Sequence, residues 1–173
     1  NTKNEKVHIP VIISETGLTE LVYNDFIIGD GAEVEIVAGC GIHNCGGEES
    51  RHDGIHTFFV GKNAKMRYVE KHYGAGDGNG KNVMNPTTVI NLEENAYVEM
   101  DTVQIKGVDS TDRQTTAKLA KGATLIVSEK LMTHGKQSAT TKFDVDLDGE
   151  NSSTHVISRS VARDDSTQLF LSN

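Results

Sequence analysis

"FFVGKNAKMRY" (58–68) and "INLEENAYVEM" (90–100) follow one pattern. In the first, Phe58 and Val60 sit six and four residues before Ala64, and Met66 and Tyr68 sit two and four after it. In the second, Ile90, Leu92, Val98 and Met100 hold the same offsets around Ala96. Period-two alternation on both sides of a short interruption marks two strands, each burying one face, joined by a tight corner. The pattern extends outward in both directions. Phe26, Ile28, Val34 and Ile36 frame Ala32, and Ala117, Leu119, Leu125 and Val127 frame Ala123. A fifth copy runs Val145, Leu147, then Ser152, Thr154 and Val156, with a longer corner and a more polar second half.

The residue before each aligned position is Gly31, Asn63, Asn95, Gly122 or Asn151. Glycine and asparagine are the residues that best tolerate a positive φ, so each copy is expected to make the same left-handed corner. Copies recur every 27 to 32 residues with no helix-period segment between them, which leaves only strand or loop for the return. The expected fold is therefore all-β, a right-handed parallel β-helix in which each coil pairs with the next. An antiparallel sandwich accommodates the short strands but gives no reason for a fixed corner residue. On the β-helix reading, "GAGDGNGKNVMNP" (74–86) and "GVDSTDRQTT" (107–116) are surface loops, the first of them mobile.

Composition narrows the function. The 173 residues are 36% apolar and 5% aromatic with no Trp, enough for one aliphatic core. A net charge of -8 and the lack of any Lys/Arg run argue against a nucleic-acid partner. No long apolar run or signal-peptide pattern appears, so no membrane partner is expected. The two cysteines do not make a secreted disulfide framework and read as reduced thiols of a cytoplasmic protein. The chain opens on Asn1 and closes on "STQLFLSN" in a strand pattern, so residues 1–173 are read as one β-helix core domain, truncated at both ends.

Ligand-type side chains concentrate in "GCGIHNCGGEESRHDGIH" (39–56), which holds Cys40, His43, Cys45, His52 and His56. Cysteine and histidine at this density suit zinc or iron, so a structural metal module over residues 40–56 is one reading. The spacing matches no standard zinc module, which favours the other, a loop with thiol chemistry projecting from the solenoid wall. His43 and Arg51 would lower the pKa of Cys40 if the fold brought them close. His56 lies on the inward side with Phe58 and Val60, as a core-filling histidine does. His72, His134 and His155 are solitary and read as surface or strand-filling residues. "GAGDGNGK" (74–81) lacks the spacing of a phosphate loop, and Asp77 with Asn79 supply too few oxygens for calcium. Asp144, Asp146 and Asp148 alternate with Val145 and Leu147 as a solvated outer face, not as the carboxylate pair of a polysaccharide hydrolase.

"IHTFFVGKNAKMRYVEKHYG" (55–74), "GKQSATTKFDVDLDGENSS" (135–153) and the Gly39-Cys40 step, in this order along the coils, resemble the SufB/SufD scaffolds of iron–sulfur cluster assembly. The resemblance covers nearly the whole chain and implies a β-helical scaffold, not an enzyme. It implies a transient [4Fe–4S] or [2Fe–2S] cluster and sulfur delivered by a cysteine desulfurase. The implied partners are an ABC-type ATPase and another SufB/SufD-type chain, paired as a homo- or heterodimer. Cys40 matches the cysteine of the family's Gly-Cys step and is the candidate for accepting sulfur. Members also carry further coils and helices beyond a segment like "DDSTQ" (164–168), so this chain is read as the β-helical core.

Overall fold

The computed structural model describes residues 2–173, which form thirteen strands and their turns. Six strands make one sheet: β1 (Lys3–Ile13), β3 (Glu33–His43), β5 (Lys65–Ala75), β8 (Tyr97–Lys106), β10 (Thr124–Thr133) and β12 (Ser153–Ala162), paired in that order. The second sheet holds β2 (Thr19–Ile28), β4 (Ser50–Val60), β6 (Asn82–Met84), β7 (Thr87–Leu92), β9 (Ser110–Leu119), β11 (Ser138–Leu147) and β13 (Thr167–Ser172). Its order is β2, β4, β6 with β7, β9, β11, β13. Pairing is parallel throughout, and the chain crosses from sheet to sheet at every turn. The result is a β-solenoid of about six turns. No helix among the described residues is long and apolar enough to cross a membrane.

The five corners repeat to the atom. Gly31, Asn63, Asn95, Gly122 and Asn151 have φ of 65°, 55°, 58°, 68° and 60°. In each, a hydrogen bond closes the four-residue turn, from Ala32 N–H to the Gly29 carbonyl (3.0 Å) through Ser152 to Gly149 (3.2 Å). A positive φ only at the third turn position is the type II pattern, which asks for Gly or Asn there. The corner N–H groups are not left orphaned either. Gly31, Asn63, Asn95 and Gly122 donate to the corner of the next coil, onto Lys62, Glu94, Lys121 and Glu150 carbonyls at 2.8–3.0 Å. Backbone pairing therefore runs unbroken around the bend.

Next to these corners the interior is apolar. Phe58 stacks on Phe26 with ring centroids 4.6 Å apart and meets Tyr68 at 4.8 Å, with Ile90, Met100, Leu119 and Val127 filling the coils beyond. The glycine segment packs on the neighbouring backbone, and the surface-loop reading of 74–86 fails at Asn82–Met84, which form the buried strand β6. Gly76, Gly78 and Gly80 lie against the backbone of residues 44–48, where any Cβ would strike the carbonyls of Asn44, Gly46 and Glu48. Gly78 and Gly80 donate to the Asn44 and Gly46 carbonyls at 3.2 and 3.0 Å. The surface-loop reading of 107–116 also fails from Ser110 onward. Thr111, Arg113 and Thr115 point inward along β9, in phase with Ala117 and Leu119.

Candidate functional site

Farther from the corners, inward positions on the same strands become polar. One row across the first sheet reads Ala38, Glu70, Thr102, Glu129, Ser158, and its neighbour reads Val11, Cys40, His72, Gln104. From the opposite sheet Arg113 reaches in, only 3% exposed. Its Nη1 donates to Glu70 Oε2 at 2.5 Å, its Nη2 to His72 Nδ1 at 3.1 Å, and its Nε lies 3.7 Å from Glu129 Oε2. Tyr68 Oη donates to Glu70 Oε1 (2.9 Å), while Ser158 and Thr141 donate to Glu129 at 2.7 and 3.1 Å.

Burial on this scale opposes ionisation, so the pairings decide the charge states. For Glu70, desolvation is more than offset by His72 and Arg113, which hold its carboxyl well below the usual carboxylate range. The same carboxylates keep Arg113 charged despite full burial. His72 turns Nδ1 toward the Arg113 donor and Nε2 toward Glu70 Oε1, 3.5 Å away. The hydroxyls of Thr88, Thr102 and Thr115 and Oε1 of Gln104 are buried with no hydrogen-bond partner among the described residues. The half is thus a charged, incompletely paired polar seam inside a closed wall.

The seam meets the cysteine–histidine stretch from inside. β3 continues through Cys40, which is 2% exposed and points inward. The thiol therefore lies within the wall and does not project from it. Burial first, then Glu70 and Glu20, push its pKa up to about 12, with Arg113 opposing. The expected activation by His43 and Arg51 is absent: Arg51 pairs with Asp53 at 2.8 Å, and His43 faces outward. His52 and His56 are also interior, each 4% exposed. His52 Nδ1 lies 2.8 Å from Glu20 Oε2 and His56 Nδ1 lies 3.3 Å from Asn24 Nδ2, with Gly54 leaving room between the two imidazoles. Burial lowers the His56 pKa, so it is neutral near pH 7.

Outside the wall, Cys45 and His43 meet alone, Sγ to Nε2 at 3.1 Å. The five ligand-type residues are therefore split: Cys40, His52 and His56 inside, His43 and Cys45 outside. Among the described residues no three His, Cys, Asp or Glu side chains converge as a metal site.

Sequence reasoning placed His56 inside but missed Glu70, His72, Arg113 and Glu129. Their phase was visible: Glu70 and His72 continue the inward series Met66–Tyr68, and Arg113 precedes Ala117 by four. A charged residue in an inward phase was the available signal.

The family model for SUF system FeS cluster assembly, SufBD core domain, matches residues 13–173. An iron–sulfur cluster assembly SufBD family protein of Archaeoglobus fulgidus is 29% identical over 161 residues, covering 91% of this chain and 42% of that protein. One from Methanocaldococcus jannaschii is 23% identical over 161 residues, covering 92% of this chain and 50% of the relative. The chain spans half or less of the length of these curated relatives. With the family match spanning nearly every coil of the solenoid, this chain belongs to the SufBD core family of the SUF system for iron–sulfur cluster assembly.

Proposed function

We propose that this chain is the β-helical core of a non-enzymatic scaffold on which iron and sulfur are combined in the cytoplasm into a cluster for transfer. The observation that carries the reading is the SufBD core match over residues 13–173 on a solenoid that encloses Cys40 beside a charged seam. Cys40 is the sulfur-holding candidate. Held protonated and shielded from water, its thiol suits keeping sulfur away from oxidants better than capturing it from bulk solvent. A persulfide from a cysteine desulfurase is the source this chemistry requires. An ABC-type ATPase and a second SufB/SufD-type chain are the partners, and the cluster itself is cargo.

The test uses a full-length protein containing this core. Anaerobic reconstitution with iron and sulfide gives a sulfur-to-iron charge-transfer absorbance, and Cys40→Ser reduces its yield while the protein stays folded. An unchanged spectrum and yield in Cys40→Ser removes Cys40 from the assembly.

A further inference from the structure

The solenoid edge opposite the Gly/Asn corners carries a groove outside the polar seam. Two open clefts there, of about 360 and 320 Å³, adjoin and share Asp109, His134 and Gln137. The floor of the larger is backbone: Gly74, Gly76, Gly78 and Gly80 come from one coil and Gly107 from the next. Gly74 and Gly107 lie so close that a Cβ on either would strike the other's carbonyl, so no side chain fills the space between these coils. The rim is basic. Lys106 and His134 border the larger cleft, Lys81 and Lys136 border the smaller, and all four are exposed.

Among the described residues the three lysines form no ion pair, unlike Lys3, Lys6, Lys62, Lys121 and Lys142. Asp109 is the one carboxylate lining either cleft, and its Oδ2 already accepts the Asn82 N–H at 2.8 Å. In a chain of net charge -8, this concentration of unpaired cations fits an anionic partner. Asn82 narrows the choice. Its side chain lines the larger cleft at 8% exposure, Nδ2 donates to the Gly107 carbonyl at 2.9 Å, and Oδ1 has no partner among the described residues. The Nδ2 bond fixes the amide's orientation, so the open position is an acceptor that calls for an N–H. Inorganic anions bring no N–H, whereas a peptide backbone brings one at nearly every residue.

We propose that this groove receives an extended acidic peptide segment of a partner protein, with its carboxylates on Lys81, Lys106 and Lys136 and a backbone N–H on Asn82 Oδ1. The dimensions suit such a segment. The groove crosses three adjacent coils, which at the spacing of paired strands span about 10 Å, the reach of three or four extended residues. The lysines supply attraction and orientation, and the amide contact sets the register of the bound backbone. This surface stands independently of the scaffold reading.

The test is an NMR titration of the isotope-labelled chain with an end-blocked tetraglutamate peptide, its backbone N-methylated counterpart, and inorganic tripolyphosphate. Tetraglutamate is expected to shift the amide signals of Gly76, Gly78, Gly107 and the Asn82 side chain, and to bind several-fold more tightly than either other probe. Lys106→Gln and Lys136→Gln are each expected to weaken tetraglutamate several-fold, while Lys118→Gln, toward the corner end of β9, leaves it unchanged. Equal binding of the N-methylated peptide would mean that solvent satisfies Asn82, and would overturn the peptide assignment. Tripolyphosphate binding as tightly as tetraglutamate would overturn it too, leaving a site for anions in general. Shifts confined to other surfaces, or unchanged affinity in both lysine variants, would overturn the groove itself.

Discussion

The two halves of the solenoid interior are built on the same strands with the same inward phase, yet they obey different chemistry. Near the Gly/Asn corners, Phe58, Ile90, Leu119 and Val127 stack as rows of apolar side chains. A few residues along the same strands, the rows hold Glu70, His72, Glu129 and, from the facing sheet, Arg113. The apolar half is stabilised by removing surface from water, which tolerates substitution of similar volume. The polar half is stabilised only while every charge keeps its partner, because the wall excludes the water that would replace one. The first half closes the coil and the second places charge and a thiol inside it.

Removing a partner from the seam should expose that contrast most sharply. Arg113→Ala leaves Glu70 and Glu129 as buried carboxylates without their cation, and a loss of about 3–5 kcal/mol in urea unfolding is expected. Arg113→Met with Glu70→Gln should recover much of it, whereas a double variant no better than Arg113→Ala would contradict the pairing. In the apolar half, Phe58→Ala should cost about 3–5 kcal/mol through the cavity it leaves, while Phe58→Leu should cost much less. No conservative swap should rescue Arg113 so cheaply.

The halves should also part company with pH. His56 is held below its ordinary 6.5, so the unfolded chain takes up a proton that the folded chain refuses, and stability falls as pH drops below 6.5. The Glu70 contribution is fully present above 4.5 and is lost as pH falls through its depressed folded value. Cys40 runs the other way: its contribution is full below 9.0 and is lost as pH rises toward about 12. The urea midpoint should therefore decline on both sides of a plateau between about pH 7 and 9. A midpoint flat into acid would show that the seam is hydrated and open.

The smallest expected effect is at the corners. Asn95→Ala places a Cβ-bearing residue without a local side-chain bond at φ 58° and should cost about 1–2 kcal/mol, whereas Asn95→Gly should be nearly neutral. Equal losses for both would deny that backbone handedness selects the residue.

These corners explain why so much of the fold was legible. A positive φ restricts composition so tightly that five slots of only Gly or Asn, in register with period-two alternation, fixed coil boundaries and corner geometry together. The seam left no such mark. In "GVDSTDRQTT" six hydroxyl and acidic side chains obscure the alternation, so the inward phase of Arg113 shows only by counting back four from Ala117, and sequence alone does not say that Glu70 and Arg113 meet across 43 positions. The burial of Cys40 is not legible in the sequence for a related reason. Its flanking glycines read as a loop, but β3 runs straight through them, and Gly41 is small because the Tyr73 ring occupies the space of a side chain.

Counting reactive thiols tests the central claim, that the wall encloses one cysteine beside the charged seam and leaves the other outside. Titration of the folded protein with a thiol reagent is predicted to modify Cys45 promptly and Cys40 only with global unfolding, at the rate set by denaturant. Prompt modification of both cysteines in the native state, with the solenoid's circular dichroism unchanged, would contradict it.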